Sequence, residues 1–157
     1  MPSADTAAVR RASPGDADAI ARLFHDFQLE FSEPSPGVEA LAVRYEVLIR
    51  KHEMTVLLVG DGPDGFGQLR FRPWVYTDGL HAYLEELYVV PARRGHGLGR
   101  ALLETAIETA RDEGATHMEL GTGEDDVAAR SLYEAMGFTN RERGPDGPRM
   151  LFYEREL

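Results

Sequence analysis

Two stretches of the chain combine residue types and spacings that can do chemistry. In the first, Arg93-Arg94-Gly95-His96-Gly97-Leu98-Gly99-Arg100, glycines alternate with other residues beside a group of arginines. The cluster lies between an apolar run ending at Pro91 and a segment of helical periodicity. A helix start leaves backbone N–H groups unpaired and carries partial positive charge. Glycines there would let a pyrophosphate reach those donors, and arginines would add charge-assisted hydrogen bonds. A plain strand-to-helix turn accounts for one glycine but not for alternating ones beside arginines. A P-loop needs Gly-Lys-Ser or Gly-Lys-Thr at its end, and a dinucleotide fingerprint needs glycine at Arg100 or Leu102. Neither is met. On spacing alone the pattern favours phosphate binding over a plain turn.

The second stretch is Leu84-Glu85-Glu86-Leu87. Consecutive carboxylates in an apolar strand are costly to bury, and strand alternation points them to opposite faces. Such groups can hold a cation or accept a proton, unless they sit at a solvated strand edge. Tyr133, beside Leu132 and Met136 on a helical segment, reads by itself as core packing. The five histidines (His25, His52, His81, His96 and His117) show no metal-ligand spacing, so surface or packing roles and no metal are expected. Asp26, Glu30 and Glu33 line the end of the first helix, where a solvated face is the default.

These residues need a scaffold, and the pattern along the chain supplies one. Val9 to Ala12 reads as a short strand. Ser13-Pro14-Gly15-Asp16 then reads as an N-cap, a first-turn proline and a capping-box-like acid. The helix that follows places Ile20, Leu23, Phe24, Phe27 and Phe31 on one face. The prolines between Ser32 and Gly37 break it, and a second helix carries Leu41, Tyr45, Leu48 and Ile49. Strands are expected over 55–59, 66–74 and 82–90, with turn chemistry at 60–65. A helix over 98–111 ends at Gly114, followed by a strand over 117–120 and a helix over 127–136 closed by Gly137. Segments 138–141 and 150–153 are expected to pair as a hairpin around Pro145-Asp146-Gly147. The order is strand, two helices, three strands, helix, strand, helix, two strands. It describes a mixed α/β (α+β) domain with one long sheet.

Composition narrows the function. The chain has 157 residues, which fits one domain over 1–157 with a real hydrophobic core. Its start, Met1-Pro2-Ser3-Ala4-Asp5, lacks the basic and apolar regions of a secretory signal, and its first residues (about 6) are expected to be disordered. No apolar run approaches the roughly 20 residues that span a bilayer, so a cytoplasmic protein is the default expectation. The absence of Cys excludes disulfides, zinc-thiolate sites and a cysteine nucleophile. A formal net charge of -10 repels nucleic acid and anionic membrane and favours cationic partners. Against that field, Arg93, Arg94 and Arg100 form a local positive island suited to an anionic cofactor.

The segment from Tyr83 to Leu103 resembles the central motif of the GNAT superfamily of N-acetyltransferases. The family signature of Gln or Arg, two residues, Gly, one residue, Gly or Ala maps onto Arg94, Gly97 and Gly99. A second block, Ala129-Arg130-Ser131-Leu132-Tyr133-Glu134-Ala135-Met136-Gly137-Phe138, is similar to the family's later helix and following strand. The blocks keep the family's spacing, and the pair is far more specific than either alone. The resemblance implies a GNAT-like fold whose mostly antiparallel central sheet, flanked by helices, splays after the strand 82–90. It further implies that acetyl-CoA binds with its pantetheine arm along the backbone of Leu87, Tyr88 and Val89. The diphosphate would rest on N–H groups from Gly95 through His96, Gly97, Leu98 and Gly99 to Arg100, assisted by Arg94.

Acetyl transfer to an amine has a protonation problem. An alkyl amine with a pKa of about 10.4 is only about 1 part in 2,500 neutral at pH 7, a handicap of roughly 4.6 kcal/mol. Without Cys, direct attack by the amine is the simpler route. By resemblance, Tyr133 is the general acid at the cofactor sulfur and the backbone N–H of Tyr88 or Val89 is the oxyanion donor. The stretch Leu84 to Val89 is similar to that of diamine and polyamine acetyltransferases, where the first acid lies on a water path and the second at the cationic substrate. That assigns Glu85 as base through water and Glu86 to substrate contact. Asp26, Glu30 and Glu33 fall where the family has its variable substrate wall. Asp126 stands where the family often has an Asn bonded to pantetheine, and it lacks the amide donor. The expected function is acetylation of a small cationic amine. A protein or peptide amino-group acetyltransferase and a non-catalytic acyl-CoA sensor are the alternatives. A homodimer is compatible with all three.

Overall fold

The computed structural model describes residues 8–157, so the expectation of a disordered start lies outside the described residues. The chain forms two compact units, one ending at Leu120 and one spanning Gly121–Leu157.

The first unit carries a five-stranded sheet ordered β1-β2-β3-β4-β5. Its strands are β1 (Val9–Arg11), β2 (Thr55–Val59), β3 (Gly65–Pro73), β4 (Leu80–Val89) and β5 (Ala115–Leu120). Neighbours pair antiparallel except β4 and β5, which are parallel. A parallel pair needs a crossover, and α3 (Leu98–Asp112) supplies it; α1 (Ala17–Glu30) and α2 (Val38–Arg50) connect β1 to β2. The capping signal works as read: the Ser13 N–H donates to Asp16 Oδ2 at 2.8 Å, and Asp16 N–H donates to the Ser13 carbonyl at 3.0 Å.

The apolar stripe of α1 packs with Leu41, Tyr45 and Ile49 of α2 onto Val56, Leu58, Phe66 and Tyr88 of the sheet. Leu57 and Val59 are buried too, on the opposite face by strand alternation. There α3 contributes Leu98, Leu102, Leu103 and Ala106. Burial on both faces is why β2 reads as an unbroken apolar run.

Two expectations are corrected. Glu85 and Glu86 do not point to opposite faces, because β4 is bulged. Gln68 pairs with Glu86 while Leu69 pairs with Leu84, leaving Glu85 as the extra residue. The bulge resets the alternation, so both carboxylates turn to the face covered by α1 and α2.

The second correction concerns the smaller unit, where α4 (Val127–Ala135) forms but the final two strands do not. An isolated antiparallel bridge, Arg141 to Arg149, closes the turn. It is supported by Glu142 N–H to the Pro148 carbonyl (3.0 Å) and Met150 N–H to the Asn140 carbonyl (2.7 Å). Beyond it Leu151, Phe152 and Tyr153 are exposed. A two-stranded ribbon is marginal on its own, and Pro148 cannot donate to a ladder.

Candidate active site

β5 pairs with β4 only from Leu80 to Leu84 and ends at Leu120. Among the described residues, no strand therefore pairs with the β5-side edge of β4 from Glu85 to Val89. This is the expected splay, and it leaves backbone N–H and C=O groups on that edge for an extended, amide-bearing ligand to match. Leu87, Tyr88 and Val89 all lie on it. The Tyr88 ring is buried and stacks on Phe27 of α1 at 4.8 Å. Burial, followed by the charge of Glu30, raises its phenol above the ordinary value.

The chain leaves β4 through a short helical turn at Pro91–Arg93 and reaches Gly95 and Gly97, with φ of 77° and 80°. A Cβ at either glycine would meet nothing within 4 Å. The left-handed backbone, not crowding, therefore demands glycine there, and the concavity stays open. The Gly97 carbonyl accepts from Ala101 N–H at 3.0 Å. The N–H groups of Leu98, Gly99 and Arg100, in the first turn of α3, have no acceptor within the helix. Leu98 is buried and anchors the helix start, whereas Gly95, His96, Gly97 and Arg100 are exposed. His96 Nδ1 lies 2.9 Å from the Arg94 carbonyl, so this nitrogen donates and the imidazole braces the loop. A helix start with N–H donors unpaired within the helix beside exposed glycines suits an anionic group such as a diphosphate.

Arg94 is tied to neighbouring elements at the surface. Its Nη2 donates to both oxygens of Glu30, at 2.9 and 2.7 Å, and its Nε donates to the Val89 carbonyl at 3.0 Å. The guanidinium also lies 5.6 Å from the centre of the Tyr88 ring. Glu30 is thus occupied with Arg94, and together they tie the loop to the ends of α1 and β4. Asp26 is exposed on α1. Arg93 approaches Asp64 at 3.6 Å and Arg100 pairs with Glu104 at 2.9 Å.

The carboxylates after the bulge differ sharply. Glu85 accepts from Gln68 Nε2 and pairs with Arg70 Nε, each at 2.5 Å. The buried Tyr45 hydroxyl donates to Gln68 Oε1 at 2.7 Å, so Gln68 links α2 to Glu85. Glu86 meets no hydrogen-bond donor or cation among the described residues. It faces a cavity of about 230 Å³ whose walls include Phe24, Leu41, Leu48 and Met54, with Arg44 also on the wall but not within ion-pair distance. Burial, then the Glu85 charge, pushes the Glu86 carboxyl up to about 7. Burial and the same two charges raise the Tyr45 phenol. A carboxyl titrating near neutrality in a mostly apolar cavity can accept a proton and pass it on. Tyr45, Gln68 and Arg70 were not singled out from the sequence. The glutamine inside an otherwise apolar strand was the available signal.

In the second unit Asp126 is the N-cap of α4, accepting from Ala129 N–H at 3.0 Å. Its carboxylate therefore has a structural task. Tyr133 is buried, with its ring 6.2 Å from that of Phe138 in an edge contact.

The profile of the Acetyltransferase (GNAT) family matches residues 20–138. The chain belongs to the GNAT acetyltransferase family. It is similar to the thialysine N-epsilon-acetyltransferase of Bos taurus, with 36% identity over 82% of this chain and 82% of the relative. An aminoglycoside N(6')-acetyltransferase type 1 of Stenotrophomonas maltophilia is 30% identical over 86% of this chain and 88% of its own. A solved structure from Arthrobacter sp. FB24, described provisionally as an acetyltransferase, is 45% identical over 100% of both chains, with a TM-score of 0.90. This GNAT chain is accordingly an N-acetyltransferase with the family's open, mostly antiparallel sheet. No helix among its described residues is long and apolar enough to cross a membrane.

Proposed function

We propose that the protein transfers an acetyl group from acetyl-CoA to the primary amine of a small cationic molecule, by direct attack of the amine. The observation that carries this reading is Glu86, a carboxylate pushed up to about 7 on the wall of an apolar cavity beside the open edge of β4. Acetyl-CoA supplies the activated acetyl thioester. The backbone of Leu87, Tyr88 and Val89 and the N–H groups from Gly95 to Arg100 bind and orient it.

Glu86 attracts the ammonium to the cavity and, as carboxylate, takes the proton that must leave before attack, directly or through water. Glu85 has the different task of holding the bulge. Its ties to Gln68 and Arg70 fix the strand while its charge keeps the Glu86 proton affinity high. The family resemblance assigned the base to Glu85; here Glu86 takes that role in addition to substrate contact. Tyr133 carries the general-acid role on the strength of its motif position. Glu30 is a positioning residue for Arg94, and Asp26 and Glu33 are the remaining acids of the substrate wall.

The named substrates of two relatives, an aminoglycoside and thialysine, support an amine acceptor. The cavity volume of about 230 Å³ suits an amine arm rather than a folded protein surface. The test is release of free thiol from acetyl-CoA across a panel of diamines, amino acids, aminoglycosides and peptides. Turnover of at least one small amine well above hydrolysis is expected. Turnover of peptides alone, or tight acetyl-CoA binding with no acceptor, would replace this reading with one of its alternatives.

A further inference from the structure

We infer that His81, His117 and Glu119 form a binding site for one divalent cation of the zinc class on the β4–β5 ladder. No spacing in the sequence shows this group, because the parallel register creates it. His81 stands directly opposite His117 across the ladder. Glu119 lies two residues further along β5 and so projects to the same face as His117.

The ligand atoms of the three side chains all fall within 4.8 Å of one another. His81 Nε2 lies 3.1 Å from one Glu119 oxygen, and His117 Nε2 lies 3.4 Å from the other. Zinc held tetrahedrally by nitrogen and oxygen at about 2.0–2.2 Å needs its ligands roughly 3.3–3.6 Å apart. Each imidazole already stands near that spacing from a Glu119 oxygen. Two imidazoles and one carboxylate also suit such an ion, with a fourth position left for water.

His81 gives the second, independent sign. It is only 2% exposed, yet neither ring nitrogen has a hydrogen-bond partner. The 3.1 Å approach to Glu119 is short enough for an ion pair but lacks hydrogen-bond alignment. A buried polar group left in that state is costly, and a cation would give Nε2 a partner. His117 and Glu119 have side chains 44% and 53% exposed, which leaves an approach open to an ion. Trp74 forms a wall, stacking on His117 at 4.5 Å and tilting against His81 at 5.7 Å. An ion here joins β4 to β5 just before the two strands part. This inference is independent of the acetyl-transfer reading.

Trp74 is the single tryptophan of the chain, so its fluorescence reports on this site alone. The full-length protein, stripped with chelator, is titrated with Zn²⁺ by calorimetry and with Co²⁺ by tryptophan quenching and visible absorption. One equivalent is expected to bind, with Co²⁺ quenching Trp74 and Zn²⁺ reversing the quench. His117→Ala and Glu119→Gln alter exposed positions, and each should weaken binding by on the order of 10–100-fold. Zn²⁺ should raise the melting temperature of the parent and not of either variant, which separates ligation from folding. His25→Ala should bind as the parent does. Absence of saturable binding, or equal affinity in the parent and both ladder variants, overturns the site.

Discussion

Gln68 stands in register with Glu86, yet its amide donates to Glu85. The bulge makes this crossed relationship possible by bringing two consecutive carboxylates to one face, opposite a single glutamine. The Gln68 amide donates to Glu85 and not to Glu86. With its oxygen taken by Tyr45 and its amide by Glu85, the Glu86 carboxylate is left to the cavity. The asymmetry between the two carboxylates, on which the proposed base rests, is therefore built from a one-residue insertion in a strand.

Kinetics should show that asymmetry. With Glu86 at about 7, the parent kcat/KM should rise with pH and bend near that value. Glu86→Gln should lower turnover at neutral pH by about 10²–10⁴, the usual contribution of a positioned acid or base. Its rate should recover as pH approaches the pKa of the amine itself. Glu85→Gln should keep the bend near neutrality, shifted downward because a neighbouring charge is gone. If the bend disappears in Glu85→Gln and persists in Glu86→Gln, the base is Glu85.

Stability should carry the opposite sign from that of most carboxylates. The folded-state value of Glu86 is raised from 4.5 to about 7, so between those limits the native state binds more protons than the unfolded chain. The contribution is present at low pH and is lost as pH rises through the folded value. Glu86→Gln removes the charging penalty. Its melting temperature should exceed that of the parent above pH 7, by on the order of 2–4 °C, and the gain should vanish below pH of about 4.5. A constant difference at every pH would mean that Glu86 is not perturbed by folding.

The ion pair between Glu30 and Arg94 predicts which substrate a Glu30 variant affects. Glu30→Gln retains an acceptor for Arg94 while releasing its charge toward the α3 N-terminus. The KM for acetyl-CoA should fall about twofold to fivefold, the scale of one partly exposed charge contact. The amine KM should not move. A raised amine KM with an unchanged acetyl-CoA KM would return Glu30 to the acceptor wall.

Tyr133→Phe tests the acid without disturbing the ring. Acetyl-CoA should bind as before while turnover falls by about 10²–10⁴. An unchanged rate with an alkyl thioester, whose thiolate most needs a proton, would leave Tyr133 a packing residue.

The order of elements was legible because each depends on local signals: the Ser13–Asp16 cap, the apolar stripes of α1 and α2, and the glycines after α3 and α4. The glycine turn before α3 was legible for the same reason, since Gly95 and Gly97 are dictated by their own backbone angles. The missing parts are non-local. Nothing around Glu85 announces a bulge, which exists only in the register between β3 and β4. The Arg94–Glu30 pair joins residues far apart in sequence, and the His81–His117 contact needs the β4–β5 register. The expected final hairpin failed for a related reason: turn residues at 145–147 specify a reversal, but strands need more than a turn to persist.

The two glycines flanking Leu98 make the final prediction, because they separate backbone need from ligand need. Gly97 has a φ of 80°, so a side chain there costs about 1–2 kcal/mol of folding before any ligand is considered. Gly99 is in the first turn of α3 and is not among the residues of positive φ. Valine can adopt that backbone, and its helix propensity is no worse than that of glycine. Its branched side chain would nevertheless stand over the unpaired N–H groups that a diphosphate must reach. Gly97→Val should therefore lose both thermal stability and acetyl-CoA affinity. Gly99→Val should keep its melting temperature and lose affinity by more than about tenfold, or 1.4 kcal/mol. Calorimetric titration of the folded Gly99→Val protein decides the matter: undiminished acetyl-CoA binding would mean that the diphosphate does not rest on this helix start.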